Sequence, residues 1–311
     1  MMNIIIALLI CLTVPVFAVD YYLPNSVGNS AENISLGVEG FGVGAQSVFE
    51  NPASLRNAQS FSVAGFNTKL MNNFNYSNVA ISKSIGNSRF ALGVYELKVP
   101  DIAKTDDILN PEFGENEITQ IGSFRYRNLM AKVAYQRHLS DVLSMGFSGT
   151  YFETSMDSIK GTGYNLDLGL FFAFNSLDIS IVGRNLVPIS DVTYNDASSS
   201  TESLPIQGLF GVRKRFSQIH LMGQIKMPSI GNENQNRQLL SGGIQYVPSL
   251  IKNWIYVAGS YKQFYVLDQI KGRFAVGIGL TLPIINVNYA YEKSDYILTD
   301  GHHYVSMAVV F

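Results

Sequence analysis

Apolar side chains recur at every second position through most of the chain. The clearest runs are Leu129/Ala131/Val133/Tyr135, Leu143/Met145/Phe147/Gly149/Tyr151 and Tyr164/Leu166/Leu168/Leu170/Phe172. Later ones are Leu177/Ile179/Ile181/Gly183, Phe274/Val276/Ile278/Leu280 and Ile285/Val287/Tyr289/Tyr291. A period of two is the spacing of a strand, whose successive side chains point to opposite faces. The other parity carries Lys132, Asn165, Asp167, Asp178, Arg184, Lys226, Arg273, Asn286, Asn288 and Glu292 among Gly, Ala and Ser. Each run is about ten residues long, the length that a tilted strand needs to cross a bilayer. The apolar parity therefore predicts a lipid-facing wall and the polar parity a wet or plugged lumen. The charged members, Lys132, Asp167, Asp178, Arg184, Lys226 and Glu292, either line a path or bond to whatever fills that lumen.

About fourteen such segments begin near Phe61, Tyr76, Arg89, Leu129, Val142, Tyr164, Leu177, Ile206, Ile219, Gln238, Trp254, Gly272, Ile285 and His303. The connections after even-numbered segments are short, as at Gly86, Ser140, Phe174, Ser217 and Leu282. Those after odd-numbered ones are mostly longer: Lys98 to Arg127, Ser155 to Thr162, Val187 to Pro205, Pro228 to Asn236 and Ser294 to Gly301. Alternating short turns and long loops is the wiring of an outer-membrane barrel. The fold expected is all-β, a transmembrane antiparallel up-and-down barrel of about fourteen strands. Val305, Met307, Val309 and Phe311 share one parity, which predicts a last strand closing on the first, with these residues towards lipid and serving as the signal for the barrel-assembly machinery.

The beginning of the chain follows another pattern. Residues 1–18 join an apolar core, Ile4 to Val14, to Pro15 and a small-x-small ending at Ala18, and read as a cleaved secretory signal peptide. Against this stands the absence of Lys or Arg before the apolar core; a retained anchor is the alternative, although the run is shorter than the ~20 residues of a spanning helix. Residues 19–60 do not alternate, are rich in Gly, Asn, Ser and Ala, and are expected as a hatch inside the lumen, or across the periplasmic mouth, of the barrel formed by 61–311. Charged residues are only 15% of the chain against 47% hydrophobic, a deficit that points to a surface partly out of water. A formal charge of −2 gives no reason to propose a nucleic-acid partner. The one cysteine, Cys11, lies in the signal segment, so the rest of the chain can form no disulfide or cysteine metal site.

The stretch "NISLGVEGFGVGAQSVFENPASLRN" resembles the N-terminal signature of the FadL-like outer-membrane superfamily, through Gly37, Gly40, Gly42, Gly44, Ala45, Asn51, Pro52, Ala53 and Leu55. Phe49 and Glu50 stand where that family more often has aromatic or small residues. "SIVGRNL" with "LPIQGLFGV", and the ending "YAYEKSDYILTDGHHYVSMAVVF", look like hairpins of its PorV/PorQ-type branch. The resemblance implies a fourteen-strand barrel with an N-terminal hatch whose motif is Gly42, Gly44, Asn51, Pro52 and Ala53. It implies one of two roles: passage of hydrophobic compounds such as fatty acids or hydrocarbons, or service as a component or cargo carrier of type IX secretion. Outer-membrane lipid and either a hydrophobic small molecule or secretion subunits would be the partners. A soluble periplasmic β protein is a third possibility.

Chemistry is sparse. His138 and Ser140 lie at a short turn with no third group to orient them, as nucleophilic catalysis requires. Adjacent His302 and His303 point to opposite faces and cannot converge on a metal. There is no phosphate loop, dinucleotide fingerprint or zinc spacing, and no cofactor or enzymatic activity is expected.

Overall fold

The computed structural model describes residues 28–70, 74–110, 115–187, 191–195, 201–230, 238–249, 254–266, 269–295 and 300–311. The signal segment 1–18, Cys11 and the start of the 19–60 segment lie outside the described residues. Sixteen strands follow in chain order: β1 Phe61–Leu70, β2 Phe74–Ile85, β3 Ser88–Asn110, β4 Glu115–His138, β5 Leu143–Met156, β6 Ile159–Ala173, β7 Leu177–Arg184 and β8 Val192–Tyr194. They continue with β9 Thr201–Glu202, β10 Gln207–Phe216, β11 Ile219–Met227, β12 Leu239–Tyr246, β13 Ile255–Val266, β14 Gln269–Thr281, β15 Ile285–Ser294 and β16 His302–Val310. Fourteen of these, all but β8 and β9, form a closed antiparallel barrel in which each strand pairs with its neighbours.

Closure is made by β16 on β1, with Ser62 opposite Val310 and Asn67 opposite Val305. Phe61 N–H donates to the Phe311 carbonyl (3.1 Å), Phe311 N–H donates to the Phe61 carbonyl (2.9 Å), and the two rings lie 6.0 Å apart. No edge is left to expose unpaired backbone groups to hydrocarbon. The outward parity is an apolar belt: Val133 is 59% exposed, Phe274 56% and Met307 52%, with comparable side chains on strand after strand. Apolar exposure on that scale fits a lipid solvent and not water. No helix among the described residues is long and apolar enough to cross a membrane.

Three connections differ from the loops expected. Lys98 to Arg127 is the continuation of β3 and β4, paired out to Asn110 opposite Glu115, with register breaks between Val99 and Ile102 and between Lys104 and Thr105. Pro100 cannot donate to the ladder and Asp101 takes φ +53°, so the first break is a bulge built where the ribbon leaves the barrel. Ser155 to Thr162 is likewise strand up to a two-residue turn at Asp157, whose φ is +54°. Within Val187 to Pro205, β8 folds back onto β6, Gly161 opposite Tyr194, and β9 pairs with β8.

The segment before β1 runs through the barrel. Ser30 caps helix α1 (Ala31–Leu36), its Oγ accepting from Asn33 N–H at 3.0 Å, and Gly37 ends it at φ +68°. Helix α2 (Ser47–Glu50) and a 3-10 turn (Pro52–Asn57) follow. Apart from Glu32, Gly42, Val43, Arg56 and Asn57, every residue from Gly28 to Ala58 is buried. Helix α1 packs on β12 to β16, whereas the 3-10 turn packs on β3 to β6, so this inner segment bridges the lumen.

Candidate functional site

Glu39 is the polar centre of the lumen. It sits between Gly37 and Gly40 in the inner segment, 1% exposed, and meets three cations from three strands. Arg184 of β7 lies at 3.0 Å, Lys262 of β13 at 3.1 Å and Lys226 of β11 at 3.6 Å. Gln224 of β11 clasps the same residue's backbone, donating to its carbonyl (3.0 Å) and accepting from its N–H (3.2 Å). Burial alone pushes a carboxyl up, yet Lys226, Lys262 and Arg184 overcome it and hold Glu39 well below the usual carboxylate range. Arg184 also donates to the Glu50 carbonyl at 2.9 Å, linking this site to α2.

The second anchor is the corner Asn51-Pro52-Ala53. Proline forces the preceding residue to be extended, and Asn51 is so, at φ −136°. Its Oδ1 accepts from Ala53 N–H (2.9 Å), while Nδ2 donates to Ser180 Oγ of β7 (2.8 Å) and the Leu170 carbonyl of β6 (3.2 Å). The corner seats because β5 and β6 present Gly146 and Gly169 to it. A Cβ on Gly169 would stand 1.9 Å from Asn51 Oδ1, and one on Gly146 would stand 2.5 Å from the Pro52 carbonyl carbon. Arg56 then ties the segment to the β4–β5 turn, donating to the carbonyls of Val142 (2.9 Å) and Asp141 (2.8 Å). Gly42 and Gly44 lie upstream: Gly44 takes φ +86°, and a Cβ on Gly42 would press on the Glu50 carboxyl at 3.1 Å.

The remaining inward charges pair among the strands. Lys132 of β4 meets Asp167 of β6 at 2.5 Å, and Asp167 also accepts from Asn185 N–H at 3.1 Å. Asp178 of β7 takes Arg213 of β10 at 2.7 Å and also meets Arg215. Glu292 of β15 meets Arg273 of β14 at 3.3 Å and accepts from the Tyr304 hydroxyl at 3.2 Å. Of the six charged positions read from the sequence, Arg184 and Lys226 thus hold the inner segment, and the other four pair strand to strand within the wall. Sequence reasoning missed Glu39 and Lys262. The signal was there: a lone carboxylate in the Gly-rich run "GVEGFGVG" must find cations if that run is buried.

Glu50 is the exception. Its Oε2 accepts from Gly40 N–H at 2.9 Å, while Oε1 is buried with no hydrogen-bond partner among the described residues. Burial, with the charges of Glu39 and Glu32 adding to it, pushes this carboxyl up to about 7. A cavity of about 10 Å³ lies beside it, lined by Glu32, Leu36, Phe41 and Gly42 among others. That is room for about one water. A groove of about 610 Å³ lies elsewhere, over β3 to β6, lined by Leu92, Val94, Val133, Tyr164 and Leu166, all on the outward parity.

The two histidine clusters are dispersed as their spacing dictates. The His138 ring meets Arg89, and Ser140 Oγ accepts from Leu143 N–H at 3.0 Å. His303 lies outward, bonded to the Tyr289 hydroxyl at 2.6 Å, and His302 takes the other face.

A closed fourteen-strand barrel with an apolar outer belt and a chain segment threaded through its lumen defines a transmembrane barrel of the filled-lumen kind. No family model and no curated relative matches the sequence. Among solved structures, the monoaromatic hydrocarbon channel CymD is similar at TM-score 0.66 and 13% identity, over 92% of this chain and 98% of that one. The toluene transporter TodX of Pseudomonas putida gives 0.61 and 13%, over 95% and 98%. A FadL homologue of Pseudomonas aeruginosa gives 0.54 and 9%, over 91% and 98%. At these identities the likeness is one of fold.

Proposed function

We propose that the protein is a non-enzymatic outer-membrane barrel of the FadL-like superfamily, exported by cleavage after Ala18, through which a hydrophobic molecule passes when the hatch formed by residues 19–60 yields. What supports this reading most is how the hatch is held. Its polar attachments are separate hydrogen bonds and ion pairs along its length, those at Glu39 and at the Asn51 corner among them, and such bonds can be exchanged by a ligand or a change in charge. The fold shared with channels for monoaromatic hydrocarbons supports the hydrophobic substrate class. In this reading Val305, Met307, Val309 and Phe311 form the strand recognised by the barrel-assembly machinery, and no cofactor takes part.

A second reading, a docking barrel of the PorV/PorQ type for secreted proteins or secretion subunits, draws on one observation. Beyond Tyr126, where β4 last pairs with β5, neither edge of the β3–β4 ribbon is strand-paired among the described residues, and Lys104 meets Asp157 across it at 2.7 Å. A two-stranded ribbon alone is marginally stable in water and gains from a partner.

The deciding experiment is mass spectrometry of the barrel purified from outer membranes in mild detergent, reporting bound small molecules and proteins together. A stoichiometric fatty acid or hydrocarbon that is lost in Asn51→Ala is the result expected for passage. A stoichiometric secreted protein or secretion subunit with no such molecule overturns passage in favour of docking.

A further inference from the structure

The outer wall is not evenly filled. Across β3 to β6 the outward positions Ala131 and Gly149 are small, while Leu92, Val133, Tyr164 and Leu166 stand tall around them. The result is the 610 Å³ groove, within the roughly 300–1,000 Å³ that encloses a drug-sized apolar molecule. It opens towards lipid, so what enters it comes from the membrane.

Register places a charged rim directly over this groove. Val94 is opposite Ala131, Ala131 opposite Tyr151, and Tyr151 opposite Tyr164, whose rings lie 5.3 Å apart. One outward position further, about 7 Å along each strand, come Glu96 on β3 and Glu153 on β5. The next carries Lys98, Arg127 and Lys160, on β3, β4 and β6. Lys98 and Arg127 both meet Glu96 at 2.5 Å; Arg127 and Lys160 meet Glu153 at 3.3 and 3.0 Å. Three cations thus cover two carboxylates. The cations are the exposed partners, at 44%, 36% and 51% against 21% and 17% for Glu96 and Glu153. The rim offers positive charge outward at the level where the apolar belt ends.

We infer that this face is a docking site for a phosphorylated lipid of the outer leaflet, acyl chains in the groove and phosphate on Arg127, Lys98 and Lys160. A neutral apolar ligand would use the groove alone and free phosphate the rim alone; an anionic lipid uses both, its phosphate answering the one positive charge by which the three cations exceed the two carboxylates. Arginine and lysine at a bilayer surface suit phosphate, and the Tyr151–Tyr164 pair suits the interface between chain and headgroup. The inference rests on the outer-membrane location proposed above, with the long-hairpin side outward, and not on passage through the lumen.

The test is native mass spectrometry of the barrel released from detergent micelles holding equal lipid A and phosphatidylethanolamine. The wild type is expected to retain one lipid A in preference to phosphatidylethanolamine by about tenfold. Ala131→Phe, which fills the groove from the lipid side, and the pair Arg127→Gln with Lys160→Gln are each expected to lower retention by a similar factor. Heat-modifiable gel mobility checks that each variant is a folded barrel. Equal retention of both lipids, or of neither, overturns the proposal, as does retention unchanged in a folded Ala131→Phe. Loss in Ala131→Phe alone would mean a neutral apolar occupant and also overturns it. Because nothing is transported in this assay, failure of the passage reading would leave its result intact.

Discussion

Glu39 and Glu50 lie eleven positions apart in one buried segment and stand in opposite electrostatic conditions. Glu39 is over-supplied with cations; the Glu50 carboxyl has one backbone N–H donor and the acids Glu39 and Glu32 near it. Removing one partner of a buried ion pair costs about 3–5 kcal/mol, because the remaining charges are left without compensation. Glu39→Gln is therefore expected to raise hydrogen exchange across residues 37–41 by about a hundredfold, with the strands still protected. Exchange unchanged in that segment would show that the triad of cations does not hold it. Glu50 imposes a pH dependence of definite sign. Its carboxyl binds a proton more tightly when docked, so docking gains from low pH. The gain is full below the ordinary value of 4.5 and is lost, by about 3 kcal/mol, as pH rises to about 7. Glu39, held low, acts in the other direction below 4.5. Docking of the inner segment is thus expected to be tightest near pH 4.5–5, and Glu50→Gln to remove the decline between 5 and 7, as read by limited proteolysis across that range. At this scale the sequence was partly legible. The parity of Lys132, Asp167, Asp178, Arg184 and Glu292 follows from the strand period, but the cation that each acid meets does not, because each partner lies on another strand whose register the period leaves open.

Elements show where alternation works as a guide and where it stops. Every barrel strand begins within a few residues of its expected start, except β4, whose first residues lie in the protruding ribbon. There the chain leaves the barrel wall, apolar and polar residues mix along the sequence, and the period of two disappears from a backbone that is still extended. Pro100 and Asp101 reinforce the loop reading while building a bulge. Deleting residues 101–124 is expected to leave gel mobility and thermal unfolding of the barrel unchanged, since β4 still meets β5 from Tyr126 onward. If the ribbon is a docking element, the same deletion removes any co-purifying protein. The inner corner makes a sharper demand on its wall. Gly169→Ala puts a methyl group on Asn51 Oδ1, and its own strand pairing with Gly146 and Val182 is untouched. The expected outcome is a folded barrel with a protease-sensitive inner segment; a resistant segment would mean that the corner relocates at little cost.

The whole molecule carries the part of the fold most readily read in advance: the number of strands, their antiparallel order and the closure of β16 on β1. The interior was less legible. Nothing in the 28–58 run alternates, and its shape is decided by walls that lie elsewhere in the chain. Those distances bear on the order of events in folding. Glu39 meets Arg184 across 145 positions, Gln224 across 185 and Lys262 across 223. Contacts so remote in sequence form late, because closing such loops costs entropy before any bond repays it. The first described part of the chain is therefore the last to find its place, and waits until β13 is in the wall. In a time-resolved refolding experiment, strand protection should precede protection of residues 37–41, and between the two events the barrel stands open from end to end.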